Sequence, residues 1–330
     1  MKRALALFAI LIILLAFPSC GRQKYLSHTI WGMDTLVTVK IDKNTPDAER
    51  IFSDCEAILK SLDSKMSRTN PESDISRVYD AVDSAEVSDD TAAVIRIALE
   101  VSEIVGGYFD ITVLPYVKMW ESCGEEDKLP DPDYVRSLGS AVGYEKITLQ
   151  GSTVQKSDKH TRIDLGGIGK GYAADKLVEY LISSGVEYGL VSFGSNVAVF
   201  GEKPDGSEYK IGIKNPSNTS EVVGYILISS GVLSVTGDYE RYVVIGGEKY
   251  HHVINPFDGY PADTGLHSVV VICGTGAIAD ALSTALFVMG KEAALELYAS
   301  GKIKFEALFI GDDGISWTPG LAAKFEPAKN

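Results

Sequence analysis

Apolar residues recur every three or four positions in four stretches of the chain, which is the spacing of one face of an α-helix. Thr45-Pro46 precedes the first stretch and Gly106-Gly107 follows the second, as expected for a helix start and a helix end. A shorter helix is predicted after the fourth stretch. The predicted helices cover residues 46–66, 89–105, 170–185 and 276–289.

Strands account for most of the remaining pattern. Residues 28–41 are rich in β-branched and aromatic side chains and are interrupted at Gly32. Beyond residue 188, short apolar segments are separated by Gly, Asn, Asp and Pro at hairpin distances. The polar segments 66–80 and 121–133 are predicted to be connections. The other predicted strands cover residues 144–149, 152–157, 188–193, 196–201, 209–214, 222–229, 232–236, 240–245, 249–254, 268–272 and 304–310.

This order of elements favours an α+β fold in which helices pack on antiparallel sheets. The chain has 330 residues, of which 45% are hydrophobic, and this is enough for a large core. No internal repeat, low-complexity run or long linker divides the sequence. Residues 28–330 are therefore predicted to form a single domain.

The first nineteen residues, MKRALALFAILIILLAFPS, combine two basic residues with an apolar run of secretory-signal length. An uncleaved membrane anchor is the alternative, but the run is short for a bilayer span. We favour a lipoprotein signal peptide over residues 1–19, cleavage before Cys20 and acylation of that cysteine. Residues 20–27 would then form a lipid-anchored tether. The protein is accordingly expected outside the cytoplasm, anchored to a bacterial membrane and facing the periplasm.

Removal of residues 1–19 would leave 29 basic and 45 acidic residues, a net charge of about −16. This charge argues against nucleic acid or an anionic membrane surface as the partner. Besides Cys20, the chain has Cys55, Cys123 and Cys273, an odd number without the spacing of a zinc site. We expect these three to be small core residues.

The segment DLGGIGKGYAAD, residues 164–175, has three glycines before Lys170 and a fourth directly after it, at the start of the third predicted helix. Bare backbone amides, the helix N-terminus and the lysine could together bind an anion such as a phosphate. A tight turn without a ligand explains this segment equally well, because it matches neither a Walker A loop nor the dinucleotide fingerprint.

Asp280 and Thr284 lie four residues apart on the fourth predicted helix, so their side-chain oxygens share one face. With a backbone carbonyl they would suit Mg²⁺. Alternatively, Asp280 interacts with the helix dipole and Thr284 bonds its own backbone. Asp110 would need a partner if it is buried. His251 and His252 alternate along a predicted strand, so one of them is expected to face the interior.

Eight segments of the sequence share a recognisable order: MDT (33–35), SRTNPESDIS (67–76), GGYFDITVLP (106–115), DLGGIGKGYAAD (164–175), SFGSN (192–196), TGDYERY (236–242), HHVINPFDGYPAD (251–263) and ADALSTALFVMG (279–290). In this order they resemble the ApbE family of FAD:protein FMN transferases. Each segment is weak alone, but eight in register are specific and span nearly the whole mature chain. The resemblance implies an α+β domain related to the T-fold.

The resemblance implies a Mg²⁺-dependent enzyme that cleaves FAD, attaches FMN through a phosphoester to a threonine of a target protein, and releases AMP. The expected targets are subunits of Rnf-type complexes and of sodium-translocating NADH:quinone reductases (Nqr). By the same resemblance, the metal ligands are the Gly167 carbonyl, Asp280 and Thr284, and the candidate catalytic bases are His252 and Asp280. FAD is expected to contact Met33, Thr69, Tyr108, Phe109, Asp110, Asp164, Lys170 and Ile254.

The sequence departs from the family pattern at several of these positions. Thr69 stands where many members carry an aromatic residue over the flavin, so hydrolysis of FAD to FMN and AMP could compete with transfer. Asp34 replaces a common Gly, Gly169 a common Ala, and Asn255 a common Asp. Two alternative functions therefore remain, an FAD pyrophosphatase and a lipoprotein that binds FAD without cleaving it.

Overall fold

A computed structural model describes residues 25–329, so the predicted signal peptide and Cys20 lie outside the described residues. The helices are α1 (Ala48–Met66), α2 (Asp74–Asp80), α3 (Asp89–Ile104), α4 (Leu114–Glu126), α5 (Pro132–Gly139), α6 (Gly169–Ser183) and α7 (Gly276–Ser300). The strands are β1 (Tyr25–Gly32), β2 (Thr35–Asp42), β3 (Ser84–Glu86), β4 (Ile147–Gln150), β5 (Thr153–Lys156), β6 (Gly189–Ser192), β7 (Asn196–Phe200), β8 (Tyr209–Asn215), β9 (Asn218–Ile228), β10 (Gly231–Gly237), β11 (Tyr242–Ile245), β12 (Glu248–His251), β13 (Leu266–Cys273), β14 (Glu306–Gly311), β15 (Gly314–Trp317) and β16 (Phe325–Pro327).

An eight-stranded sheet in the order β1-β2-β6-β7-β10-β13-β14-β15 forms the centre of the fold. Smaller sheets contain β16-β9-β8, β3-β5-β4 and β11-β12. Each ladder between these described strands is antiparallel, which confirms the predicted α+β class.

Both faces of the large sheet are covered. Successive side chains of a strand point to opposite faces, and in β13 Val269 and Val271 belong to the helix-side core whereas Val270 packs in the cluster beneath β8 and β9. A strand buried on both faces reads as a continuous apolar run, as in SVVVIC. Helices α1, α6 and α7 pack on the helix side, and the glycine-rich segment 164–175 and the segment 279–290 meet there.

The large sheet has two distinguishable ends. Strand β1 begins at Tyr25, which pairs with Asp42, and ends at Gly32, which pairs with Thr35 across the Met33–Asp34 turn. We call these the Tyr25 end and the turn end. The register carries the Tyr25 end across the sheet to Gly189, Phe200, Gly231 and Cys273.

Two predicted connections contain helices instead. Helix α4 continues through residue 126, because Gly124 packs against Val243 and an acidic face can remain in solvent; a Cβ at Gly124 would lie 2.7 Å from the Val243 Cβ. Helix α2 forms after Ser73, whose hydroxyl accepts a hydrogen bond from the Ser76 amide. The prediction of loops at 121–133 and 66–80 was therefore wrong, because these helix signals are short and polar.

Candidate functional site

The first turns of α6 and α7 cross at a pair of glycines. A Cβ on Gly171 would lie 2.5 Å from the Gly276 carbonyl carbon, so no larger side chain fits between the two backbones. Each helix places a carboxylate on the backbone amides of the other. The Gly171 amide donates to Asp280 Oδ2 at 2.9 Å, while the Gly276 and Ala277 amides donate to Asp175 at 2.6 and 2.9 Å. This exchange fixes Asp280 against the glycine-rich turn.

The same crossing leaves the Gly167 carbonyl available. In a regular helix the Gly171 amide would donate to the carbonyl four residues earlier, as the Tyr172 amide donates to Ile168 at 3.1 Å. Because the Gly171 amide donates to Asp280 instead, the Gly167 carbonyl accepts no hydrogen bond within residues 25–329. A partly exposed carbonyl in this state is suited to an external ligand.

Thr284 lies beside this carbonyl. Its hydroxyl oxygen is 3.6 Å from the place where a Cβ on Gly167 would be, and one helical turn separates it from Asp280. The three groups offer a carbonyl, a carboxylate and a hydroxyl oxygen, which are hard ligands suited to Mg²⁺ with its remaining positions filled by water and phosphate. These three groups therefore fit the predicted metal. A metal site of another kind, made from three or more His, Cys, Asp or Glu side chains, does not occur in the described part of the chain.

Buried polar side chains surround Asp280. Ser234 donates to Asn196 Oδ1 at 2.7 Å and lies 3.4 Å from Asp280 Oδ1, and the hydroxyls of Thr236 and Ser283 are 2.8 Å apart. Asn196 Nδ2 is fully buried and has no partner among the residues described. The set holds Asp280 in a polar pocket that a cation can neutralise. These residues were absent from the predicted site, although Asn196 and Thr236 lie in two of the resembling segments.

The two histidines differ as the strand pattern predicts. His251 faces the interior, where its Nε2 lies 3.0 Å from the Ala262 carbonyl and its ring meets Phe287 edge-on. The exposed His252 places Nδ1 3.0 Å from the Arg241 carbonyl. Since a carbonyl only accepts, Nδ1 must carry the hydrogen and Nε2 is left as an acceptor. Part of the His252 side chain reaches solvent, but neighbouring protein atoms crowd its ring, and this desolvation lowers the pKa of His252 to about 4, so its imidazole is neutral at pH 7.

Lys170, Glu240 and His252 lie close to one another beside Asp280, and we call the space that they border the recess. The Lys170 ammonium donates to the Gly166 carbonyl at 3.1 Å and interacts electrostatically with both His252 and Glu240. Desolvation raises the pKa of Glu240, and the nearby Asp280 acts in the same direction while Lys170 opposes it. Glu240 keeps solvent exposure, so the carboxylate can reach a bound molecule. No role of its own was predicted for Glu240 from the sequence, although it lies in the segment TGDYERY.

The β1–β2 turn reaches the other side of the glycine-rich loop. Met33 and Asp34 both adopt a left-handed conformation, with φ of 51° and 59°. The Asp34 carboxylate interacts electrostatically with Arg68, which donates to Glu121 at 2.6 Å and lies 3.9 Å from Asp164. Non-glycine residues in this region are strained, and such strain concentrates at functional sites.

Aromatic and apolar residues close the recess. Phe109 is buried, and its ring lies 3.1 Å from the place of a Cβ on Gly167. Tyr108 meets the exposed Phe257 edge-on at 5.1 Å between ring centroids. Thr69 is exposed on the loop after α1, 3.1 Å from the Ser67 hydroxyl. The rings of Tyr108, Phe109 and Phe257 offer aromatic surface against which a planar ring can stack.

The ApbE family profile matches residues 33–309, which is most of the described chain. The chain belongs to the ApbE family. An FAD:protein FMN transferase from Haemophilus influenzae is 30% identical over 329 residues and covers 95% of both chains. The crystal structure of the ApbE protein from Thermotoga maritima has a TM-score of 0.84 and 30% identity, covering 91% of this chain and 99% of that chain. The flavin transferase ApbE from Vibrio cholerae has a TM-score of 0.79 and 25% identity, covering 89% and 96%.

Membership of the ApbE family confirms three predictions, namely the family itself, the fold class and the enzyme class. The individual site residues stay predictions, and the structure groups them unequally. Gly167, Asp280, Thr284 and Phe109 lie together, and Lys170 and His252 share the adjoining recess.

Two predicted FAD contacts are used by the protein itself. Asp110 is buried and accepts hydrogen bonds from the Thr112 amide and hydroxyl at 2.7 and 2.6 Å; its burial raises the pKa of the carboxyl. The Ile254 side chain packs with Tyr116 and Trp120 in a separate small cluster. Contact with FAD at these positions would therefore come mainly from the backbone.

Proposed function

We propose that this chain transfers FMN from FAD to a threonine hydroxyl of a target protein, in a Mg²⁺-dependent reaction that releases AMP. The observation that carries the proposal is the convergence of the Gly167 carbonyl, Asp280 and Thr284 beside Phe109. The threonine oxygen forms a bond to the phosphorus of the FMN moiety. The bond from that phosphorus to the bridging oxygen breaks, and AMP leaves with the bond's electron pair.

Each group in the recess has a role in this displacement. Nε2 of neutral His252 accepts the proton of the threonine hydroxyl. Lys170 offsets negative charge on the pyrophosphate. Bound Mg²⁺ supplies Lewis-acid stabilisation of the phosphate oxygens. Asp280 is better suited to hold the metal than to take the proton, because Oδ2 already accepts from the Gly171 amide and a bound metal would occupy the remaining oxygen.

The experiment is to incubate the protein with FAD, Mg²⁺ and an acceptor protein carrying one candidate threonine, and to measure covalent flavin by mass spectrometry and AMP by chromatography. Asp280→Asn should abolish both products, while Glu292→Gln, an exposed carboxylate change beyond the break in α7 at Gly290, should leave them unchanged. Covalent flavin formed at an unchanged rate by Asp280→Asn, or in the presence of EDTA, would contradict the proposed site.

FAD hydrolysis is the second candidate activity, because Thr69 is exposed and too small to shield the flavin and pyrophosphate from water. AMP released without covalent flavin on any acceptor would establish hydrolysis in place of transfer. Tight FAD binding without AMP release would support the third possibility, a flavin-binding lipoprotein. Thr69→Tyr is expected to raise the ratio of covalent flavin to AMP.

We further propose that residues 1–19 are removed and that acylated Cys20 anchors the enzyme to a bacterial membrane, facing the periplasm. In residues 25–329 no helix combines the length and the apolar character that a bilayer crossing requires. A threonine-bearing subunit of an Rnf- or Nqr-type complex is the proposed target. Mass spectrometry of the N-terminal peptide tests the acylation, which Cys20→Ser would remove together with membrane association.

A further inference from the structure

The tether enters the fold at the Tyr25 end of the large sheet. Tyr25 pairs with Asp42 in the first rung of the β1–β2 ladder. Five residue steps separate Cys20 from Tyr25 in the sequence, and a fully extended chain of that length spans at most about 18 Å. A lipid on Cys20 would therefore hold the Tyr25 end of the sheet close to the bilayer.

The functional site lies away from this end. Asp280 neighbours Ser234 and Asn196, which pair with each other one residue beyond the rung that runs from Val197 through Ser192 and Thr38 to Thr29. At about 3.3 Å per residue, this level is about 16 Å from Tyr25, and the Met33–Asp34 turn is about 23 to 27 Å away.

Helices α6 and α1 run in opposite directions between the same two ends of the sheet. Helix α6 begins at the glycine-rich turn and ends near Tyr188, whose hydroxyl donates to Asp42 at 2.9 Å at the Tyr25 end. Helix α1 begins shortly after Asp42 and ends at Met66, directly before Arg68 and Thr69. The strand register and the helix directions both place the recess at the turn end of the sheet, opposite the Tyr25 end where the tether joins.

We propose that the membrane-bound enzyme places the Tyr25 end toward the bilayer and opens its flavin site away from the lipid, an orientation that rests on the proposed acylation of Cys20. With β1 directed away from the bilayer, the mouth of the site lies about 23 to 27 Å beyond Tyr25, and a fully extended tether adds at most about 18 Å. The partner that fits this orientation is an extramembrane domain or loop that presents its threonine above the membrane surface.

Energy transfer to the bilayer tests the orientation. The acylated full chain, with Cys123→Ser and Cys273→Ser, is placed in vesicles that contain an acceptor-labelled lipid, and a donor dye is attached to Lys43→Cys or to Leu36→Cys. Both positions are exposed and belong to the β2 region, seven residues apart. Because about 23 Å separates them along the strand, transfer from residue 43 should be about twofold or more higher than from residue 36. Equal transfer, or stronger transfer from residue 36, overturns the orientation.

Acceptor height provides the second test. One threonine segment is displayed on a membrane-anchored protein, either on a short stalk at the bilayer or on a long stalk. The acylated enzyme should flavinylate the long-stalk form several-fold faster than the short-stalk form, whereas the Cys20→Ser enzyme, free in solution, should modify both at similar rates. Equal modification of both forms by the acylated enzyme overturns the inference. No modification by either enzyme refutes the proposed transfer activity, and a lack of lipid on Cys20 refutes the anchor and the orientation together.

Discussion

Replacement of Gly171 by alanine tests whether the α6–α7 crossing builds the metal site. The new methyl group would lie 2.5 Å from the Gly276 carbonyl carbon and 2.8 Å from the Asp280 Cβ. Carbon atoms pack at about 3.5 to 4.0 Å, so the two helices must separate by about 1 Å. Backbone atoms cannot rotate away as the end of a long side chain can.

The expected loss of stability is the sum of opposing effects. Overpacking in a tight core costs about 1 to 3 kcal/mol. Weakening the hydrogen bond from the Gly171 amide to the Asp280 carboxylate costs about 1.5 to 3 kcal/mol. The higher helix propensity of alanine returns about 1 kcal/mol. We expect a net decrease of about 2 to 5 kcal/mol in the free energy of unfolding.

Urea denaturation measures this decrease, and a Mg²⁺ titration of FAD cleavage measures the displacement of Asp280 as a higher half-saturating Mg²⁺ concentration. Gly169→Ala is the matched control, because it lies two residues earlier and a Cβ there would meet nothing within 4 Å. That variant should be neutral or gain up to about 1 kcal/mol. If Gly171→Ala unfolds at the same urea concentration as Gly169→Ala, close packing of α6 and α7 at Gly171 does not stabilise the protein.

Three further predictions concern single residues. His252→Ala should lower kcat for transfer by about 100-fold or more, while FAD affinity changes little. In the parent protein the lowered pKa keeps His252 neutral, and so able to accept a proton, down to about pH 5. A kcat of the variant within threefold of the parent value would contradict the role of His252 as the base. Hydrogen bonding to Asp238 raises the pKa of His267, so its stabilising effect is complete below about pH 6.5 and is lost as pH rises through the raised value; urea midpoints compared with His267→Gln between pH 5.5 and 9 should show this loss, and parallel pH profiles would refute it. Met33→Gly should raise the free energy of unfolding by about 1 kcal/mol by removing left-handed strain, and a decrease in the urea midpoint would show that Met33 packing outweighs it.

Much of the fold follows from short-range sequence pattern. The periods of two and of three to four residues place most strands and the long helices within a few residues, because burial of one face dictates them. Helix α4 was not predicted at all, and its last turns depend on the β11–β12 hairpin that covers Gly124. Contacts of that kind are not visible in a local pattern.

The site was predictable as a set of residue types, but its internal connections were not. Asp280 and Thr284 can be placed on one helical face from their spacing alone. The diversion of the Gly171 amide to Asp280, by contrast, requires two helix starts to meet across 109 residues of sequence. Asp175 ends the glycine-rich segment and attracted no role in the sequence, yet it accepts from both amides at the start of α7.

The diverted Gly171 amide also links chemistry to folding. The Gly167 carbonyl is released from its helical partner only when α7 docks and Asp280 takes that amide. A partly folded chain therefore cannot assemble the three oxygen ligands, however much FAD surrounds it. The docking of α7 is therefore the folding step that completes the set of three oxygen ligands.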